Sequence, residues 1–131
     1  MSKKVKPSQM AAEIGEILEE YVDAVNTVTE ESVRAVTNEA RNRVRELSPD
    51  DPQTPSSKSY RQHWRTSFTF RGRIKQGEVY NTKYPLTHIL EYGHAISGGG
   101  RTPAQPHIST ANDEAAERFE KVLKEGLQNA T

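Results

Sequence analysis

Cysteine is absent from the 131 residues, which excludes a disulfide frame and any thiolate metal site and gives no sign of an oxidising compartment. Long apolar runs are absent as well, and nothing approaches the ~20 residues that span a bilayer. Met1–Pro7 carries three lysines with no apolar stretch behind it, so it does not read as a signal peptide. The expectation is a protein made and kept in a cytoplasm, with no membrane partner. Large apolar side chains are scarce: Leu, Ile, Val and Phe total 24, and mean hydropathy is −0.85. Such a composition borders on that of disordered chains, but those usually carry a large net charge. Here 18 basic residues balance 18 acidic ones, and the pattern described next is periodic. A folded protein with a small core fits better, and such proteins gain stability by burying surface against copies of themselves. The missing basic surplus also argues against a dedicated nucleic-acid binder.

What is present reads as an α+β domain over residues 8–131, behind a basic, disordered segment 1–7. Over 8–47, Met10, Ile14, Ile17, Tyr21, Val25 and Val28 recur at helical steps, and Val33, Val36, Ala40, Val44 and Leu47 carry the stripe onward. Ser8 can cap this helix, and Thr27 and Glu30 have capping-box spacing that would allow a break; one long helix is favoured. Its stripe is too long to be covered within so small a domain, so part of it is expected to face a neighbouring subunit. Pro49, Pro52 and Pro55 make 48–58 a loop. From Trp64 the period changes to two, and 62–82 reads as a hairpin with a second strand near Glu78–Thr82 and a tip carrying Arg71, Arg73 and Lys75. Pro85 opens a short middle helix, 85–92, stopped by Gly93. A glycine-rich loop, 93–107, and a C-terminal helix, 110–128, capped by Ser109 or Thr110, complete the chain. The two long helices are expected to pack on the small antiparallel sheet.

Four residues could carry metal chemistry. His88, Glu91, His94 and His107 are all of ligand type, and two or three histidines with a carboxylate is a known catalytic zinc set. The spacing is unlike that of the helical metalloprotease pair, and no further acid between Glu91 and Asp113 is placed to act as base. The plainer reading has His88 and Glu91 pairing on the short helix while His94 and His107 hold the two ends of the loop. The expectation is no metal, no cofactor and no catalytic residues. Gly98, Gly99 and Gly100 followed by Arg101 lack the lysine and hydroxyl of a phosphate loop; a loop ordered by a partner fits, because three glycines are costly to order without contacts.

The charge is unevenly spread. Between Glu13 and Glu31 the long helix carries seven acidic residues, Glu16 and Glu20 among them, and no basic one, whereas the hairpin is basic. Arg65, Arg71, Arg73, Lys75 and Trp64 could meet nucleic acid. An acidic partner already exists in another copy of the chain, and head-to-tail contact between unlike surfaces is how rings are built. The candidate interface residues are therefore Glu13, Glu16, Glu20, Arg71, Arg73, Lys75, His94, Gly98, Gly99, Gly100 and Arg101. The rival readings are a small metal-dependent hydrolase or nuclease using the histidines, and a nucleic-acid module using the hairpin.

The segments Val79-Tyr80-Asn81, Tyr84-Pro85-Leu86-Thr87-His88-Ile89-Leu90-Glu91-Tyr92-Gly93-His94-Ala95, Gly99-Gly100-Arg101 and Pro106-His107-Ile108 resemble the tail-component family of HK-type phages, the gene-product-ten family. The long helix ending at Leu47-Ser48-Pro49 and the Trp64–Phe70 strand lie where that family has them. The resemblance implies a virion protein similar to tail-completion and tail-to-head joining proteins, which form a ring, commonly a hexamer, at the head-proximal end of the tail tube. The implied partners are other copies of the chain and the tail-tube and head-closure proteins, with DNA only as passing cargo. The implied location is the virion, assembled in the host cytoplasm.

Overall fold

The computed structural model describes residues 6–49, 55–83, 87, 90–93, 95, 98–101 and 103–130, without the side chains of residues 8 and 55–58. The fold is α+β. One turn of 3-10 helix, Pro7–Gln9, leads into α1, Met10–Leu47. Helix α2 covers Pro55–Gln62, and the hairpin strands are β1, Trp64–Arg71, and β2, Ile74–Asn81. The C-terminal helix, α3, spans Ile108–Ala130. Thr87 and Leu90–Tyr92 are helical, inside the predicted middle helix.

Helix α1 is unbroken over 38 residues, about 57 Å at 1.5 Å per residue. The capping-box spacing at Thr27 produces no break; instead the Thr29 hydroxyl donates to the Val25 carbonyl, 2.7 Å, within the helix. At its start Gln9 takes the cap position with no side-chain hydrogen bond, so Ser8 is not the cap residue. It ends at Ser48, which turns extended ahead of Pro49, as residues before proline favour. The Ser48 hydroxyl donates back to Val44 O and accepts the Trp64 indole N–H at 2.8 Å, tying the helix end to the first strand.

Helix α3 runs antiparallel along the second half of α1, with Arg43 against Glu114 (2.7 Å) and Arg118 against Glu39 (3.1 Å). Farther along, Gly126 meets Val28; a Cβ on Gly126 would stand 2.7 Å from Val28 Cγ1. The hairpin lays one face on the same stretch of α1. In register, Trp64 faces Asn81, Thr66 faces Val79, Phe68 faces Gly77 and Phe70 faces Lys75. Gly77 is where β2 touches the helix, since a Cβ there would sit 1.9 Å from Thr37 Oγ1. The core gathers at the far end of α1: Val44, Tyr60, Trp64 and Ala111, with Leu47, Val79, Leu90 and Ile108 packed around them.

The predicted boundaries need four corrections. The 48–58 loop stops at Pro55, where proline opens α2, a position at which its missing N–H costs nothing. Gln62 belongs to that helix, so the hairpin begins at Trp64. Strand β2 begins at Ile74, so the turn is Gly72–Arg73 alone and Lys75 is not at the tip. Helix α3 begins at Ile108, two residues earlier than expected, and its N-terminus is capped from elsewhere in the chain.

Candidate functional site: a buried latch and an uncovered helical arm

The outside cap is Glu91. Its carboxylate accepts the backbone N–H of His107 (2.7 Å), Ile108 (3.0 Å) and Ser109 (3.0 Å), three of the donors that the first turn of a helix leaves without partners. An acid here also suits the positive end of the helix dipole. His107 Nδ1 lies 2.9 Å from the same carboxylate and 2.8 Å from the Gln105 carbonyl. Both neighbours are acceptors, so Nδ1 carries the hydrogen, and Nε2 accepts from the Tyr60 hydroxyl. Tyr60 and His107 are fully buried and sit edge-on to each other and to Trp64. Asn81 completes the set by donating to the Tyr60 carbonyl at 2.7 Å. Burial, the largest influence on Glu91, raises its pKa, but the N–H donors of His107, Ser109 and Ile108 and the Ser109 hydroxyl together hold the carboxyl below its ordinary value. The unit is a latch that fastens Glu91 and the start of α3 to Tyr60 and the hairpin base.

The latch also bears on the metal set. The Glu91 oxygens and both ring nitrogens of His107 are committed to hydrogen bonds, and Glu91 pairs with His107. His88 and His94 lie outside the described residues. Among the described residues, no group of three or more His, Cys, Asp or Glu is gathered to hold a metal ion, and no helix is long and apolar enough to cross a membrane.

The latch carries its own pH signature. Burial pushes the Tyr60 hydroxyl up to about 12. Its proton is therefore held more tightly in the folded state than in the unfolded chain, which ionises near 10. The resulting stabilisation is complete below pH 10 and is lost as pH rises through 12, up to about 2–3 kcal/mol in all. Urea unfolding at pH 9 and pH 11.5 should show this loss in the wild type and a smaller one in Tyr60→Phe. Equal losses in both would detach the pH dependence from Tyr60.

At the other end of the molecule α1 leaves its support. Helix α3 ends at Ala130, one turn past the contact of Gly126 with Val28, and α1 continues for more than a dozen residues toward Met10. The apolar side chains on this arm, Met10, Ile14, Ile17, Leu18, Tyr21 and Val22, are exposed, from 49% for Met10 to 62% for Ile17. They share one face of the helix. Glu13 and Glu20 border one margin of that face and Glu19 the other, while Glu16 and Asp23 point away. Arg34 is the first basic residue on α1.

The hairpin divides its charges between two faces. On the inner face Lys75 reaches back to Glu30 of its own α1, 2.7 Å, and Arg34 lies over the Phe68 and Phe70 rings at 5.1 and 4.7 Å. Lys75 is thus paired within the chain and faces α1, away from the outer hairpin face. The outer face carries Arg65 opposite Tyr80 and Arg71 opposite Ile74, with Arg73 in the turn, and all five are exposed. Glu16 and Glu20 are exposed on the arm and Glu13 is half-buried. His94 lies outside the described residues. Gly98, Gly99 and Gly100 are exposed, each at positive φ, and a Cβ on any of them would meet open space. The loop is closed by a bridge between Ala95 and Arg101, whose guanidinium donates to Gly93 O at 3.3 Å.

Compared with protein-family models, with curated proteins and with solved structures, the chain finds no match.

Sequence reasoning missed Tyr60, Ser48 and Asn81, the polar half of the core. The hydrogen-bonded pair Tyr60 and His107 is 47 residues apart in the chain, and no local period marks such a partnership.

Proposed function

We propose that this chain is a structural protein of a tailed-bacteriophage virion, a tail-completion or head–tail joining component that works as a ring, with no catalytic role. The observation that carries the reading is the arm: six large apolar side chains held in the open on a rigid helix. Exposed apolar surface of this size on a small domain marks an interface with another protein. The rest supports it. The polar cluster with the most chemical potential, Glu91–His107–Tyr60, is sealed and internally satisfied, so it serves as a fastening. A zero net charge suits a channel through which DNA passes without sticking. The resemblance of the 79–108 block supplies the place in the virion: the joint between head and tail, with tail-tube and head-closure proteins as neighbours and hexamer as the expected ring.

The reading is tested by composition. Quantitative mass spectrometry of purified tailed particles should find the protein at a fixed copy number per particle, of the size of a ring. A protein left in the lysate and missing from the particles contradicts it.

A further inference from the structure

We infer that the arm of one copy lies across the outer face of the hairpin of the next, a head-to-tail contact that repeats around the assembly. The inference rests on the assembly reading above and adds to it which two surfaces meet.

Among the described residues, the large apolar side chains left exposed are the six on the arm, Ile74 and Tyr80 on the outer hairpin face, and Tyr92. All but one therefore belong to two surfaces on different parts of the subunit, and those surfaces match. Their apolar lengths agree: Met10 to Val22 spans about 18 Å of helix and Ile74 to Tyr80 about 20 Å of strand. Their charges are opposite. The arm holds Glu13, Glu16, Glu19, Glu20 and Asp23 with no cation. The hairpin face holds Arg65, Arg71 and Arg73 against the single acid Glu78. With the apolar stripe set down on Ile74 and Tyr80, the acids on its margins fall beside the arginines that flank those two residues. Six half-exposed side chains offer on the order of 600 Å² of cover, close to the ~800 Å² per partner of a standard interface once the acidic margins are added. Contact of arm with arm would instead bring the acidic margins of two copies together, and like charges at a contact are penalised. Two different surfaces on one subunit make the contact heterologous, the kind that closes into a ring when the rotation between neighbours closes.

The absence of native cysteine allows a direct test. One preparation carries Ile17→Cys and a second carries Tyr80→Cys; they are mixed at high concentration and low salt under mild oxidation. The expected product is a dimer linked through positions 17 and 80, identified by peptide mass. Reversing Glu19 and Glu20 to Lys, or Arg71 and Arg73 to Glu, should each weaken self-association at least about tenfold without moving the melting temperature. An equimolar mixture of the two reversed proteins should regain it, because each arm then finds a face of opposite sign. Predominant 17–17 links, or association unchanged by the arginine reversal, would overturn this contact while leaving the ring itself standing. A chain that stays monomeric under these conditions also overturns the contact, and if it is missing from purified particles as well, the virion reading falls with it.

Discussion

Replacing Glu91 by alanine is expected to cost about 3–5 kcal/mol, because it removes a buried carboxylate that accepts several hydrogen bonds, each worth about 1.5–3 kcal/mol when one partner is charged. Three backbone donors at the start of α3 and the ring N–H of His107 lose their acceptor together. Domains of this size are stable by only about 5–15 kcal/mol, so the variant should be close to unfolding at room temperature. Glu91→Gln keeps one carbonyl oxygen but aims an amide at N–H donors, and should fall between alanine and wild type. The wild type should show the same dependence as a function of pH. The folded-state pKa of Glu91 is depressed, so its stabilisation is complete above the ordinary carboxyl range and is lost as pH falls through the lower, folded value. Urea titrations at pH 7 and across the acid range measure both. A Glu91→Ala protein unfolding within about 1 kcal/mol of wild type would mean that Glu91 does not hold the helix start, since a lost cap alone typically costs that much.

The second large effect separates folding from assembly. Changing Ile17, Leu18 and Tyr21 together to glutamine keeps good helix formers on the arm and removes three of its exposed apolar side chains. Monomer stability should stay within about 0.5 kcal/mol, as for exposed positions elsewhere. Self-association should weaken by about 10²–10³-fold, because three buried side chains at about 1–1.5 kcal/mol each amount to that ratio. Sedimentation equilibrium and thermal unfolding of the same samples provide the two readouts. A fall in melting temperature of many degrees with association intact would place these residues in the core of the monomer.

Much of the fold was legible because its signals are local. The three-and-four spacing from Met10 to Leu47 gave α1, and the alternation Trp64, Thr66, Phe68, Phe70 gave β1 and its inward face. The excess length of the stripe pointed to a part that the domain leaves uncovered, and the exposed part is the first half of the helix. Helix α2 was missed because Pro55-Ser56-Ser57-Lys58-Ser59 has no apolar period and reads as a breaker until proline is placed at the first helical position. The second strand was expected only near Glu78–Thr82, whereas β2 begins at Ile74 and runs through Gly77, where Thr37 leaves no room for a side chain. The same error put Lys75 at the tip, although the strand turns it inward to Glu30. The latch was the least legible part. Its members act across 16 and 47 residues of chain, and Glu91, read as a surface partner for His88 or a metal ligand, draws its meaning from backbone donors that no residue identity announces.

The proposed virion role is tested most directly by deleting this gene from a tailed phage that carries it and examining the lysates by electron microscopy. Heads should fill with DNA, because packaging does not need the tail, while tails stay unjoined or grow past their normal length for want of a completing ring. Complete, infectious tailed particles from the deletion phage, or empty heads beside normal tails, would contradict the account.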